Sequence, residues 1–322
     1  MRQFIIRRLF LSVFILFGVA IIIYTLIRAM PGDYVSTITA GNPNVTEEMV
    51  TRLRRLYGLD VGVFQGFVNW LSQAVRGNLG TSFIYQRPVA QVISEKMWVS
   101  FWLAFIAFII QLLIAIPLGV ISATRQYSKL DYAVSTFALV GISLPGFFFA
   151  AILQRTFAIG LGVLPLQGMV TARYNYTGFR LLLDMGKHFI LPVAVLTVTG
   201  VGGLMRYSRT NMLEVLNADY VRTARAKGLS ENKVIYKHAF RNTLIPIVTM
   251  IGGSIPGLFS GAIITEGIFA IDGLGNTALV AMRQGDVPFI MAFNMFLAVL
   301  TLLGTLIADL LYAVVDPRVR LS

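Results

Sequence analysis

The sequence predicts an all-α integral membrane protein with six transmembrane helices. Composition, hydropathy and run length carry that reading. Apolar residues make up 56% of the 322 residues and charged residues only 13%, where a soluble domain carries roughly 25% charged. Mean hydropathy is +0.74. Six charge-free runs, 9–27, 97–124, 132–154, 188–205, 242–265 and 287–308, match or approach the about 20 residues that cross the hydrocarbon core.

The first run follows Arg7 and Arg8, as the core of a signal peptide would. It is longer than the about 7–15 residues of such a core, and it ends in LIRAMPGD without a small-residue cleavage pattern, so it reads as a retained span. Six spans put both termini on one side. With the N-terminus cytoplasmic, residues 1–8, 124–131, 206–241 and 316–322 lie inside and together hold fifteen Lys and Arg. The opposite side holds fewer over a greater length, and most of those sit in 28–96, a segment long enough to translocate largely regardless of charge. Both termini are therefore expected in the cytoplasm.

Segment 28–96 is the sizeable polar region on the outer side. MPGDY and GNPN mark turns. TEEMVTRLRRLYG has a Thr cap, early acids and a Gly stop, and predicts a helix. VFQGFVNWLSQAV predicts a second, amphipathic helix of the kind that lies at an interface. No repeat or low-complexity tract divides the chain. A single membrane domain spanning 1–322 with a small external cap is expected.

Several chemistries are absent. The net charge of +12 does not indicate nucleic-acid binding, because little polar surface is available to display it. There is no cysteine and no P-loop, and two histidines without an H-E-x-x-H pattern offer no metal site. GLGNTA (273–278) only weakly echoes a dinucleotide fingerprint, since no predicted strand precedes it. N-V-T (44–46) and N-Y-T (175–177) would matter only in a secretory pathway. Arg155, Glu266 and Asp309 stand at predicted span ends, where a charge is cheaply solvated, and no chain of buried carboxylates suggests a proton relay. Pro and Gly recur in the spans and cluster in IGGSIPGLFSG (251–261). That cluster predicts either close packing against a partner helix or the lining of a path. Ser254, Gly257, Ser260 and Glu266 are the candidate path residues.

The basic stretch ADYVRTARAKGLSENKVIYKHAFRN (218–242) lies between two of the most apolar runs in the chain. Asp219 at its start and cations in the last turn suit a short helix over 218–227. Gly228 would end that helix in a left-handed conformation, Leu229 would pack back on it, and Ser230 would cap a second helix over 231–242. Tyr220, Ala224 and Lys227 are expected on one face, with Val221 and Arg225 on another. A loop that only satisfied the positive-inside tendency would need charge alone. Small residues at Thr223, Ala224 and Ala226 beside a tight turn describe a knob shaped to fit a partner.

This stretch resembles the EAA loop of ABC-importer permeases, in the form found in the dipeptide/oligopeptide subfamily. Arg222-Thr223-Ala224 occupies the EAA place and Gly228 the glycine place. The general pattern's acid and I-x-L-P are missing, but DYVRTARAKGL and RNTLIP match the subfamily form. The external RGNLGTSF, the EGIFAIDGLG stretch and the closing VVDPRVR extend the resemblance over nearly the whole chain, closest to the B-type permease. The resemblance implies the six-helix type I importer fold with an extracytoplasmic insertion between helices 1 and 2. It implies a multi-pass protein of the bacterial inner membrane, paired with a second homologous permease, two cytoplasmic ATPases and an external solute-binding protein. It implies no catalysis and no cofactor in this chain, with ATP and Mg on the ATPase subunits. It implies that 206–241 is a coupling loop in which Asp219, Tyr220, Arg222, Thr223, Ala224, Arg225 and Gly228 meet an ATPase. Peptide is the expected solute; nickel or glutathione import within the same family is the alternative. An ion-gradient carrier would need midplane charges or inverted repeats, and an enzyme a cluster of catalytic polar residues; neither is plain in the sequence.

Overall fold

Helix α1 (Arg2–Ala29) is the first span. The computed structural model describes residues 2–30, 32–41 and 45–315. Most of the predicted GNPN turn, the start of N-V-T, and the 316–322 tail with most of VVDPRVR lie outside the described residues. Pro31 of the predicted MPGDY turn also lies outside the described residues; Gly32 and Asp33 lead into α2 (Tyr34–Thr39), which opens with a capping box: the Ser36 amide donates to Asp33 Oδ1 and the Asp33 amide to Ser36 Oγ, each at 2.7 Å. The predicted Thr cap is present in α3 (Glu47–Leu56), where the Met49 amide donates to Thr46 Oγ1 at 3.3 Å. The second external helix is α4 (Val63–Ala74). Its Gly66 and Phe67 seat against Tyr24 of α1, and the Tyr24 and Phe67 rings meet edge-on at 5.6 Å.

Helix α5 (Val89–Thr124) is the second span and runs 36 residues, about 54 Å at 1.5 Å per residue. That exceeds the about 30 Å hydrocarbon core, so its two ends stand in different aqueous layers. The third predicted span is broken. α6 (Lys129–Ser143) and α7 (Gly146–Leu153), continued by a π-helical turn over Gln154–Gly160, meet at 98°. The break falls at Leu144-Pro145. The residue before a proline is pushed to extended backbone, and Leu144 is extended at φ −80°, ψ 117°. The shortest charge-free run belongs to the longest helix, α8 (Gly178–Leu216). Asp184, Lys187, Arg206 and Arg209 interrupt its apolar run but not its backbone.

The basic stretch folds into α9 (Asp219–Ala226) and α10 (Glu231–Lys233). A π-helical segment over Val234–Ala239 then joins α10 to α11 (Phe240–Ser260). The expected separate helix over 231–242 is thus the entry to the fifth span, and Ser230 makes no side-chain cap bond. The fifth span ends at Gly261, and the chain continues in α12 (Ile263–Ile268), α13 (Leu274–Gln284) and the last span, α14 (Val287–Val315). Five helices are individually long and apolar enough to cross a membrane, and six spans result when the bent pair counts as one.

The two ends of α5 define two faces. At its start, Val89, Val92 and Ile93 pack with Leu274 and Ala278 of α13 and with Phe289 and Phe293 of α14. At its finish, Val120 and Ala123 pack with Val221 and Ala224 of α9. The 28–96 segment and α9 therefore lie on opposite sides of the membrane. Arg8 pairs with Asp309 at 3.0 Å, which puts the start of α1 and the end of α14 on the α9 face.

Two buried carboxylates fix the face opposite α9. Asp286 is fully buried at the start of α14. It accepts from the Ser82 hydroxyl (2.5 Å) of the RGNLGTSF loop, from the Ile84 amide (3.2 Å) just after it, and from the Phe289 amide (3.2 Å) of α14. Glu266 is also fully buried. Its Oε1 accepts from the Ser100 hydroxyl (2.7 Å) and the Ala262 amide (3.0 Å), and its Oε2 from the Asn276 amide (2.9 Å) in the first turn of α13. A helix N-terminus favours a carboxylate there. The glycines of EGIFAIDGLG make room for it: a Cβ on Gly273 would lie 2.5 Å from Glu266 Oε2. This also accounts for the weak dinucleotide echo in GLGNTA. The expectation that Glu266 lines a path is corrected here, because its carboxylate is enclosed by this chain's own donors and presents no surface to a solute.

Candidate functional site

Helix α9 protrudes at one face and is seated by two side chains. Val221 and Ala224 are buried, against Val120 and Ala123 of α5, Met212 of α8, and Val234 and Ala239 of the π-helical entry to α11. Their i, i+3 spacing makes one inner face, and Arg225 and Tyr220 lie off it. This replaces the predicted grouping of Tyr220 with Ala224. It also removes Ala224 from any outer contact surface: a large side chain there would unseat α9. Asp219, Tyr220, Arg222, Thr223, Arg225 and Gly228 are exposed, together with Ala226 and Lys227. Six of the seven predicted contact residues thus share the outer surface.

The end of α9 is a Schellman turn. The Gly228 amide donates to Arg225 O at 2.9 Å and the Leu229 amide to Ala224 O at 3.4 Å. Gly228 has φ +74°, and a Cβ there would meet nothing within 4 Å. The conformation alone therefore selects glycine. Leu229 stays exposed rather than packing back on the helix. Gly228→Ala is expected to cost about 1 kcal/mol, read as a lowered thermal-unfolding midpoint, and Gly228→Asn to recover much of it because Asn tolerates this region. The turn is clasped by Glu231, which accepts from Arg225 Nη2 at 2.8 Å and Arg225 Nε at 3.3 Å. That hydrogen bond holds the Arg225 guanidinium above its ordinary pKa. Arg222 lies 3.6 Å from Asp219, one turn earlier.

Beneath α9, a polar lock joins three spans. Arg209 of α8 donates from Nε and Nη2 to Asp131 of α6, each at 2.9 Å, and from Nε to Ser122 Oγ of α5 at 3.0 Å. The Ser122 hydroxyl donates to Asp131, and the Tyr127 amide does so at 3.0 Å. Asp131 is 4% exposed. In the sequence Arg209 is one of the fifteen cations of the expected inner side, and nothing local marks Asp131 as its partner. Their signal was an acid three residues past Ser128, which caps α6, and a basic residue inside a span-length helix.

On α11 the two readings of IGGSIPGLFSG divide by face. A Cβ on Gly252 would lie 2.9 Å from the Ala308 backbone, so this face packs closely on α14. Gly253 and Gly257, one turn apart, face open space. Ser254 and Ser260 return their hydroxyls to Met250 O (2.9 Å) and Gly257 O (3.0 Å).

Span-length helices, a helical insertion on one face and a basic helix seated on three spans at the other define a polytopic membrane protein. The model of the N-terminal family "Binding-prot-dependent transport system membrane comp, N-term" matches residues 1–104, and that of "Binding-protein-dependent transport system inner membrane component" matches residues 115–321. The chain belongs to this family of binding-protein-dependent transport system inner membrane components. The oligopeptide transport system permease protein AppB of Bacillus subtilis (strain 168) is 39% identical over 321 residues, 99% of this chain and 100% of that protein. A putative peptide permease protein of Brucella suis biovar 1 (strain 1330) is 35% identical over 323 residues, 100% of both. The structure of an inward-facing MetNI methionine ABC transporter superposes with a TM-score of 0.54 at 16% identity, covering 70% of this chain and 97% of that one. The fold is that of type I importer permeases. The chain is a multi-pass inner-membrane transport subunit rather than an enzyme, in a family that works with ATPase and binding-protein partners.

Proposed function

We propose that this chain is one of two non-identical permeases of an ATP-driven importer, and that its solute is a di- or oligopeptide delivered by an external binding protein. Similarity along the full length to AppB, named as an oligopeptide permease, carries the solute class. The exposed, firmly seated α9 carries the mechanism. Two ATPases on the α9 face, which is cytoplasmic in this reading, hold ATP and Mg. The outer surface of α9, with Asp219, Tyr220, Arg222, Thr223 and Arg225, sits in a groove on one of them, and Gly228 sets its angle. When the ATPases close, α9 moves. Val221 and Ala224 pass the displacement to α5, α8 and the π-helical entry of α11, and the cavity between the permeases changes the side to which it opens. The open face of α11 at Gly253, Gly257 and Ser260 is the proposed lining of the path, with Ser254 beside it.

Uptake tests the solute. Cells lacking their own peptide importers and carrying this chain with its neighbouring subunits are expected to accumulate labelled di- and oligopeptides. Unlabelled peptide should compete, and nickel or glutathione should not. Accumulation of nickel or glutathione instead would reassign the solute within the family, and uptake that persists without ATP would end the ATP-driven reading.

A further inference from the structure

A cavity of about 350 Å³ lies on the face opposite α9, where the 28–96 segment meets α13 and α14. Three guanidinium groups line it, those of Arg28, Arg54 and Arg283, against the one carboxylate of Asp33. Arg54 is neutralised by Asp33 at 2.9 Å. Arg28 donates to the carbonyls of Val61 (2.6 Å) and Leu59 (3.3 Å), which satisfy hydrogen bonds but leave its charge uncompensated. Arg283, in the last turn of α13, is exposed and has no partner among the described residues. Two positive charges therefore remain in one cavity.

Apart from Thr37 and two glycines, the remaining lining side chains are apolar, with Ile27, Met282 and Ile290 among them. Arg28 occupies the last turn of α1, and Ile290 the first turn of α14. The cavity thus stands at the depth where two spans leave the hydrocarbon. A free anion would gain from the guanidiniums alone. A molecule with an anionic phosphate and an apolar body would satisfy both halves of the lining.

The geometry points to a binding site for the phosphate of an anionic phospholipid, held by Arg28 and Arg283 between the 28–96 segment and α13. Bound there, the lipid bridges the external segment to the end of α13, next to Asp286. Zwitterionic lipids fit less well, because their own cation offsets the phosphate.

Native mass spectrometry of the full-length chain in mild detergent tests this, with phosphatidylglycerol or phosphatidylcholine added. Phosphatidylglycerol is expected to remain bound in preference to phosphatidylcholine. Arg283→Ala should weaken its retention about fivefold, the weight of one basic residue near a membrane surface, and Arg283→Glu should remove one bound lipid. Both variants should keep the parent's thermal midpoint. Arg28→Met should also lose the lipid, but Arg28 anchors the Leu59–Val61 turn, so Arg283 is the deciding position. Equal retention of the two lipids would overturn the site. So would unchanged phosphatidylglycerol binding in Arg283→Glu, and displacement of the lipid by inorganic phosphate at equal concentration would show that the anion suffices without its apolar body.

Discussion

Asp131→Ala is expected to lower the stability of the purified protein by about 3 kcal/mol, and Arg209→Ala by a comparable amount, because removing one member of a buried pair leaves the other uncompensated. The arrangement explains why the effect is large. Asp131 accepts from both arms of one guanidinium, from Ser122 and from the Tyr127 amide, and only 4% of it reaches solvent. The double variant should cost less than the sum of the two, since neither charge is then stranded. Thermal unfolding followed by tryptophan fluorescence reads all three comparisons. Additive losses would mean that the two side chains do not act as a unit. The lock ties α5, α6 and α8 just beneath α9, so a weakened lock should also lower solute moved per ATP hydrolysed at unchanged ATPase rate.

Glu266→Ala is expected to cost at least about 3 kcal/mol, since it orphans the Ser100 hydroxyl and the Ala262 and Asn276 amides at roughly 1–3 kcal/mol each. The site cannot collapse onto the gap, because Gly273 and Gly275 are already drawn close to the carboxylate and have no side chains to fill it. Glu266→Gln should cost about half as much, because an amide keeps one acceptor oxygen but turns an NH2 group toward N–H donors. Thermal midpoints and the amount of folded chain recovered from membranes measure the series. If Glu266→Ala left both unchanged, the carboxylate would have no anchoring role, and its place on the solute path would reopen.

These two anchors mark what a sequence can and cannot show. Run length and charge placed the spans, because crossing a bilayer requires both. The helix–Gly–helix of 218–242 was legible because a left-handed C′ glycine has a local cause, and the structure places Gly228 at φ +74°. Which side of α9 faces inward was not legible. An eight-residue helix has two plausible faces, and it is Val120 and Ala123 of α5, distant in sequence, with Met212, Val234 and Ala239 from the flanking segments, that make Val221 and Ala224 the inner one. Glu266 was noticed because it ends an apolar run, and its partners Ser100 and Asn276 come from two other helices, which no local pattern reports. Asp131 and Arg209 are 78 residues apart. The 98° break in the third span had a local cause in Pro145, but Pro also sits unbroken within α5, α8 and α11, so its presence alone did not decide.

The proposed engagement of ATPase subunits by the outer surface of α9 can be read by co-purification. The chain would be extracted gently from its native membranes and the retained subunits identified, alongside a Thr223→Trp variant. Thr223 is exposed, and its hydroxyl returns only to Asp219 O of the same helix at 2.9 Å, so the substitution should leave the thermal midpoint in place. The parent chain is expected to retain two ATPases and a second permease, and Thr223→Trp to lose the ATPases while keeping the permease. A parent chain that purifies stably without any ATPase, or a Thr223→Trp chain that keeps its full complement, would contradict the proposed engagement.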